Sequence, residues 1–343
     1  MNQTTQMHKI SQELPDYEAY FTPYYAQGYW YIQTLKSVGL MDFSILGGQA
    51  KQNTITYLQK NNLNIDIEGK RDDYDLVFTC SDMLIPKNIR NKKIILVQEG
   101  MTDPENLGFY LAKKFKLPRW IGGTATTGIS NSYDAFCVAS EGYRDLFIKK
   151  GTDPSKIFVT GIPNFDDCAQ HLNNNFPYKD FVLVATSDMR ETYKYENRKK
   201  FIEKAVRIAE GKQIIFKLHP NENYERAVRE INKYAPGSLV FQKEKIDPMI
   251  ANSDILITRY SSVVYIGLVL GKKVYSEFNL EELKRLLPIQ NGGTSAKNIA
   301  DIAQKILRTE EKSPLFLISK DISHTQRIIQ KLRLKSRLAR IKQ

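Results

Sequence analysis

Two stretches of the chain carry residue types that can handle phosphate. The first, KQIIFKLHPNENYE, runs Ile214, Ile215, Phe216 and Leu218 into His219-Pro220. A short unbroken apolar run suits a strand buried on both faces of a parallel sheet, and proline stops it because it has no N–H for the ladder. The imidazole of His219 is thereby left at the strand's carboxyl end. The second, SDILITRYSSVVYIGLVLGKKVYSEF, sets a strand over 255–258 ahead of Ser261-Ser262, which can cap an apolar helix over 263–270 closed by Gly271. Ligands of open α/β sheets bind beyond the carboxyl ends of strands, and helix N-termini favour anions. His219, Ser261 and Ser262 together therefore predict a monophosphate or diphosphate grip. Singly, a Ser-Ser is an ordinary N-cap and a His-Pro an ordinary turn; their order inside alternating strand and helix signals carries the reading.

A carboxylate at the carboxyl end of a strand can serve as a base toward a hydroxyl. The strand over 94–97 delivers Gln98-Glu99-Gly100 to its carboxyl end, which makes Glu99 the candidate general base and lets an acceptor approach the backbone at Gly100. Asp103 is the nearby rival, and a Glu that merely caps the following helix is the plain structural alternative. Asp73-x-Asp75 resembles a metal-binding DxD but enters the strand over 75–79 at the wrong end, so it reads as a solvated turn. Thr186, Ser187 and Arg190 follow a strand over 181–185 and can touch a donor phosphate, or form only a surface turn. Gln27-Gly28 follows a first strand over 17–22, on the side where an acceptor is met. Gly47-Gly48 lacks dinucleotide-fingerprint spacing.

Strand and helix signals alternate along both halves. In the first, an aromatic helix over 29–38, a strand over 42–46 and a helix to Lys60 precede the 75–79 and 94–97 strands. Strands over 135–139 and 157–160 flank a helix over 141–150 stopped by Gly151. Gly122, Gly123 and Gly128 predict a mobile loop, and Asn173-Asn174-Asn175 the linker. In the second half, helices over 198–210 and 224–234 flank the His-Pro strand, a strand over 274–275 follows, and after a flexible loop over 290–294 a helix to Leu307 closes the domain. This alternation predicts an α/β fold with domains over 1–172 and 178–315 and a basic helical tail over 316–343.

KLHP followed by DILITRYSSVVY resembles the C-terminal domain of the CDP-glycerol glycerophosphotransferases and of bacterial sialyltransferases, over about residues 90–275. The resemblance implies a GT-B-like fold, two Rossmann-like domains facing each other across a cleft, with His-Pro and Ser-Ser holding the donor's phosphate and the acceptor arriving from the first domain. It also favours a CMP- or CDP-linked donor, and sets Glu277 near the donor's sugar or ribose. Arg259 stands where the glycerophosphotransferases usually have Asp, and Gln98-Glu99-Gly100 is closer to a sialyltransferase motif than to their His-Gly.

Composition frames these sites. Of 343 residues 42% are hydrophobic and 26% charged, ordinary for a globular protein of two domains. No apolar run approaches the roughly 18 residues of a membrane span, and the start MNQTTQMHK has no secretory core, so a cytoplasmic protein is expected. Cys80, Cys137 and Cys168 lie far apart without CxxC spacing and read as core thiols. Seven of the twelve excess positive charges fall in 327–343, interleaved with Leu334, Leu338 and Ile341 at helical spacing. That tail suits an anionic membrane surface or a helix packed on the protein. Residues 107–120 offer a second such surface, with Leu107, Tyr110, Leu111 and Phe115 on one helical face among lysines, unless that face is simply buried.

The expected function is a metal-independent, cofactor-free inverting transfer from a nucleotide-linked donor to a glycan or lipid-linked acceptor in cell-surface polysaccharide synthesis, moving a sugar or a polyol phosphate. It would take place in the cytoplasm, peripherally on the inner face of the plasma membrane. A nucleotide-sugar 2-epimerase is the enzymatic alternative. A basic nucleic-acid-binding protein is the other, and confinement of the charge to one segment counts against it.

Overall fold

The computed structural model describes residues 2–23, 48–71, 73–191 and 195–308. The expected aromatic helix and second strand, Gln27-Gly28 and the basic tail lie outside these residues. The chain divides into two units, Met1–Asp167 with Pro288–Gln343, and Cys168–Leu287.

The first unit begins with a helix that the polar sequence gave little sign of, α1 (Asn2–Gln12). It holds because Ile10, Leu14 and the side chain of Gln6 fall on one buried face. The expected first strand shrinks to β1 (Tyr20–Phe21), paired in parallel with β2 (Asn64–Ile65) beyond α2 (Gly48–Lys60). A four-stranded parallel sheet follows in the order β3-β4-β5-β6, from β3 (Leu76–Thr79), β4 (Lys93–Val97), β5 (Ala135–Val138) and β6 (Ile157–Val159). Ile94 to Val97 and the whole of β5 are buried, as continuous apolar runs in a doubly covered sheet must be. Helix α3 (Leu107–Phe115) lies between β4 and β5, and α4 (Glu141–Lys150) between β5 and β6. Ser140 caps α4 by accepting from Tyr143 N, and Gly151 ends it at φ 111°, where a side chain would be strained.

The second unit is one parallel sheet, β11-β10-β7-β8-β9, built from β7 (Phe181–Ala185), β8 (Ile214–Lys217), β9 (Leu239–Phe241), β10 (Ser253–Thr258) and β11 (Lys273–Tyr275). Numbered within the unit, this is the order 5-4-1-2-3, a doubly wound sheet whose direction of growth reverses between β7 and β10. Helices α5 (Arg198–Ala209) and α6 (Tyr224–Tyr234) are each capped by an asparagine, Asn197 and Asn223, accepting a third-residue N–H. Their apolar faces, including Phe201, Ile202, Ala227 and Ile231, close over Val182, Val184, Phe216 and Ile257. Helices α7 (Ile246–Asn252), α8 (Val264–Val269) and α9 (Leu280–Arg285) complete the unit.

Two boundaries differ from expectation. The division falls between Asp167 and Cys168, and the asparagine run is no linker: Asn174 exchanges side-chain hydrogen bonds with Asn252, and Phe176 packs on Phe181 and Phe241. The last helix, α10 (Ser295–Arg308), belongs to the first unit instead of closing the second. Its buried stripe of Ile299, Ala300, Ala303 and Ile306 packs with Ile10 of α1 and Leu14 just beyond it against Ile95, Val97, Ala135 and Cys137. Burying each such isoleucine is worth about 1.5–3 kcal/mol, which fixes where the helix docks. The loop before it, expected to be flexible, is pinned: Gly292 N donates to Asp166 O at 3.1 Å and Ser295 N to the Asp166 carboxylate at 2.9 Å.

Candidate functional site

At the carboxyl edge of the second sheet, Ala185 stands opposite both Lys217 of β8 and Thr258 of β10. The segments that leave those three strands, 186–190, 218–221 and 259–262, therefore rim the point where strand order reverses. Doubly wound sheets open a crevice there.

A buried charge network underpins this rim. Arg198 reaches Glu196 at 2.9 Å and also bonds Glu222, and these three side chains are at most 4% exposed. Glu222 accepts in addition from the Thr186 hydroxyl and from His219 N, the latter at 2.9 Å. Glu196 faces Arg190 and Arg259, each at 3.5 Å. The ends of β7, β8 and β10 are thus tied through carboxylates that the sequence reading did not single out; Glu222, three residues beyond His219, was the available sign. Lys217 is buried in the same layer and donates to Leu218 O and Gln242 O, both at 2.9 Å, while burial draws its amine below the ordinary lysine range.

His219 is half-exposed on this rim. Its Nδ1 edge meets Asn221 N at 3.3 Å and the Asp188 carboxylate at 3.5 Å, and among the described residues no hydrogen bond uses Nε2. Ser261 and Ser262 follow β10, on the other side of β7, with hydroxyls that make no hydrogen bond among the described residues; their carbonyls accept from Val264 N and Tyr265 N. The expected capping is corrected here. The residue at the cap is Val263, in helical conformation with no side-chain bond, and α8 has only six residues, too short for a strong terminal dipole. What remains for a phosphate is two unengaged hydroxyls and an imidazole N–H.

Three other expected contacts are already engaged. Thr186 is buried with its hydroxyl on Glu222, so it supports the rim from below. Arg190 forks both terminal nitrogens onto Glu230 at 2.8 Å, bonds that raise its affinity for its proton, and it lines a groove of about 440 Å³ shared with Lys199, Arg229 and Tyr234 but not with His219, Ser261 or Ser262. Glu277 is exposed and pairs with Lys204 at 3.3 Å. Ser187 has a buried hydroxyl without a hydrogen-bond partner among the described residues.

In the first unit, Glu99 emerges half-buried from β4, as the strand placement predicts. Gln3 of α1 donates to its carboxylate at 2.7 Å, and Asn164 Nδ2 approaches its carbonyl at 3.5 Å while bonding Gln6 at 2.9 Å. Burial of the Cys80 thiol, with the Glu99 charge adding to it, pushes that thiol well above its ordinary range. Gln3, which holds the Glu99 carboxylate, and Gln6, which donates to Gln98 O, went unread because the helix carrying them did. Gln98 is a splice: its side chain accepts from Ala139 N at 2.9 Å and donates to Gly100 O at 2.7 Å. Among the described residues a methyl group on Gly100 would meet only Phe165, at an ordinary 3.5 Å. Asp103 is exposed and takes the Thr124 hydroxyl at 2.6 Å.

The glycine loop expected to be mobile is packed. A Cβ on Gly108 would lie 2.4 Å from Ile121 O and one on Gly122 2.9 Å from Phe109 N, so α3 and the 119–126 turn cross backbone to backbone. Asp82, fully buried, accepts from Gly128 N at 2.9 Å and Ser130 N at 3.1 Å. That packing turns Phe109 and Ala112 inward and leaves Leu107, Tyr110, Phe115 and Trp120 more than half exposed.

A doubly wound sheet whose strand order reverses between β7 and β10 defines an α/β fold of the nucleotide-binding kind. Residues 74–275, more than half the chain, match the family "CDP-Glycerol:Poly(glycerophosphate) glycerophosphotransferase"; the chain belongs to that family and is a nucleotide-dependent transferase. The match favours transfer over epimerisation. No curated protein matches the sequence significantly. Among solved structures, the complex of S. aureus MnaA with UDP is similar at 14% identity over 90% of this chain and 86% of that one, TM-score 0.49. UDP-GlcNAc 2-epimerase from Neisseria meningitidis bound to UDP-GlcNAc is similar at 11% identity, 75% and 82% coverage, TM-score 0.46. The wall teichoic acid polymerase TagF is similar at 13% identity, 63% and 68% coverage, TM-score 0.42. The family assignment rests on the sequence match and not on these likenesses.

Proposed function

We propose that the chain transfers a polyol phosphate, or a sugar, from a CMP- or CDP-linked donor to a glycan or lipid-linked acceptor in cell-surface polymer synthesis. The observation that carries this reading is the carboxyl edge of the second sheet, where the segments after β8 and β10 bring His219, Ser261 and Ser262, whose Nε2 and hydroxyls make no hydrogen bond among the described residues. Ser187 is a further candidate there. For a CDP-polyol donor, the acceptor oxygen attacks the β-phosphorus, its proton passes to a carboxylate, and the phosphorus–oxygen bond to the departing CMP breaks with the electron pair going to CMP. His219 and the serines hold charge on the departing side without a bound metal or other cofactor. Glu99 is the proposed base, held by Gln3; Asp103 is the alternative.

Among the described residues no helix is long and apolar enough to cross a membrane. We place the enzyme peripherally on the inner face of the plasma membrane. Leu107, Tyr110, Phe115 and Trp120 are exposed beside Lys114 and Lys116, the composition of an interfacial anchor. The basic tail 327–343 is the second proposed contact.

Incubation with CDP-glycerol and with CMP-, CDP- and UDP-linked sugars, with and without acceptor, tests the reading. Acceptor-dependent release of CMP or CDP supports it. Isomerisation of a sugar donor without acceptor, or no turnover of any cytidine-linked donor, would overturn it.

A further inference from the structure

We infer that Asp188 is a positioning residue for His219, clamping the ring through Asn221 so that Nε2–H is presented to an oxygen of the donor's diphosphate. The inference rests on the donor-site reading above.

Asn221 N donates to His219 Nδ1 at 3.3 Å, and the Asn221 side chain donates to Asp188 Oδ2 at 2.9 Å. The same carboxylate oxygen lies 3.5 Å from Nδ1. A neutral ring whose Nδ1 accepts an N–H carries its own proton on Nε2. A protonated ring carries protons on both nitrogens, and its Nδ1–H then faces Asp188. In either state Nε2 is a donor, and it is the nitrogen with no hydrogen bond among the described residues. The residue is also fixed from the backbone, since His219 N donates to Glu222 at 2.9 Å and to Thr186 Oγ1 at 3.2 Å. Asp188 therefore closes a three-residue clamp linking the segment after β7 to the turn after β8. A carboxylate at a phosphate-binding rim repels the ligand, so its presence is explained by what it holds.

The test uses the full chain and CDP as the probe. Nitrogen-15 spectra of the imidazoles report the tautomer, and calorimetry reports affinity, for D188A, D188N, N221A and H219A. D188A loses the clamp's anchor; the expected result is a His219 ring no longer fixed as the Nε2–H tautomer and CDP affinity reduced about tenfold, the scale of one hydrogen bond's net worth. D188N keeps an oxygen for the Asn221 side chain and should stay within about threefold of the parent. N221A breaks the clamp from the other side and should behave as D188A, which decides the matter if D188A does not fold. Unchanged affinity and ring spectrum in D188A and N221A, with H219A weakened, would overturn the inference alone. Equal losses in D188N and D188A would replace positioning by charge and overturn it as well. An H219A protein that binds CDP normally would instead remove the donor-site reading beneath it.

Discussion

Glu196 and Arg198, two residues apart where α5 begins, form a 2.9 Å ion pair with side chains 0% and 4% exposed. A charge so placed is tolerable only while its partner remains, because removing one leaves the other desolvated and uncompensated. Arg198→Met should therefore destabilise the second unit by about 3–5 kcal/mol and lower the midpoint in urea, because it strands Glu222 and leaves Glu196 only the longer contacts to Arg190 and Arg259. A midpoint within error of the parent would show that the network carries no such load.

His219→Ala and Ser262→Ala should each weaken CDP binding by about 1.5–3 kcal/mol while leaving the thermal midpoint nearly unchanged. Neither side chain takes part in the buried network, which is why affinity and stability should separate. Thr186→Val is the informative contrast: it should lose stability first, since its hydroxyl bonds Glu222. Calorimetry and thermal melts on the three variants decide the order.

Glu99→Gln keeps the shape that Gln3 contacts but removes the base. Turnover should fall by about 10²–10⁴-fold with CDP affinity unchanged. Asp103→Asn, exposed and tied to Thr124, should cost far less. If the second variant is the damaged one, the base has been assigned to the wrong carboxylate.

Burial works against ionisation of Glu230, but the two bonds from Arg190 win and hold its carboxyl below its ordinary value of 4.5. A depressed acid stabilises the fold fully above its unfolded value and loses that contribution as pH falls through the lower, folded value. Melting temperature should accordingly drop more steeply below pH 4.5 in the parent than in Arg190→Gln. Parallel acid profiles for the two proteins would discount the pair.

Deletion of 327–343 combined with Trp120→Ala and Phe115→Ala should abolish flotation with anionic vesicles while sparing turnover on a short soluble acceptor. Each basic group near such a surface contributes about 1 kcal/mol, so binding by the parent should fall steeply with salt. Undiminished flotation of the combined variant would place the contact elsewhere.

Much of the sheet framework was legible because buried parallel strands leave unbroken apolar runs such as Ile214 to Phe216 and Ile94 to Val97. Proline and glycine then showed where the strands and helices stop. Partners were less legible than elements. Arg190 follows a strand as a phosphate ligand would, yet nothing local reveals that Glu230, forty residues on, already occupies it. The stripe of α10 could be read, but a stripe specifies a face and not which sheet it covers. Helix α1 was missed because only Ile10 and Leu14 mark its buried side amid glutamine and threonine; with it went the two glutamines beside Glu99.

The return of α10 makes the first unit a circuit closed by its last segment. During synthesis the whole of 168–287 is made before Ile299 and Ile306 exist to cover Ile95, Val97, Ala135 and Cys137. The second unit, continuous in sequence, can complete its core as it emerges, while the first must wait with one sheet face open. A nascent chain halted before residue 295 would expose that face, and a chain cut within α10 would lose the first unit's closure while leaving the second unit's core untouched. The order of assembly therefore runs opposite to the order of translation: the half made first is finished last.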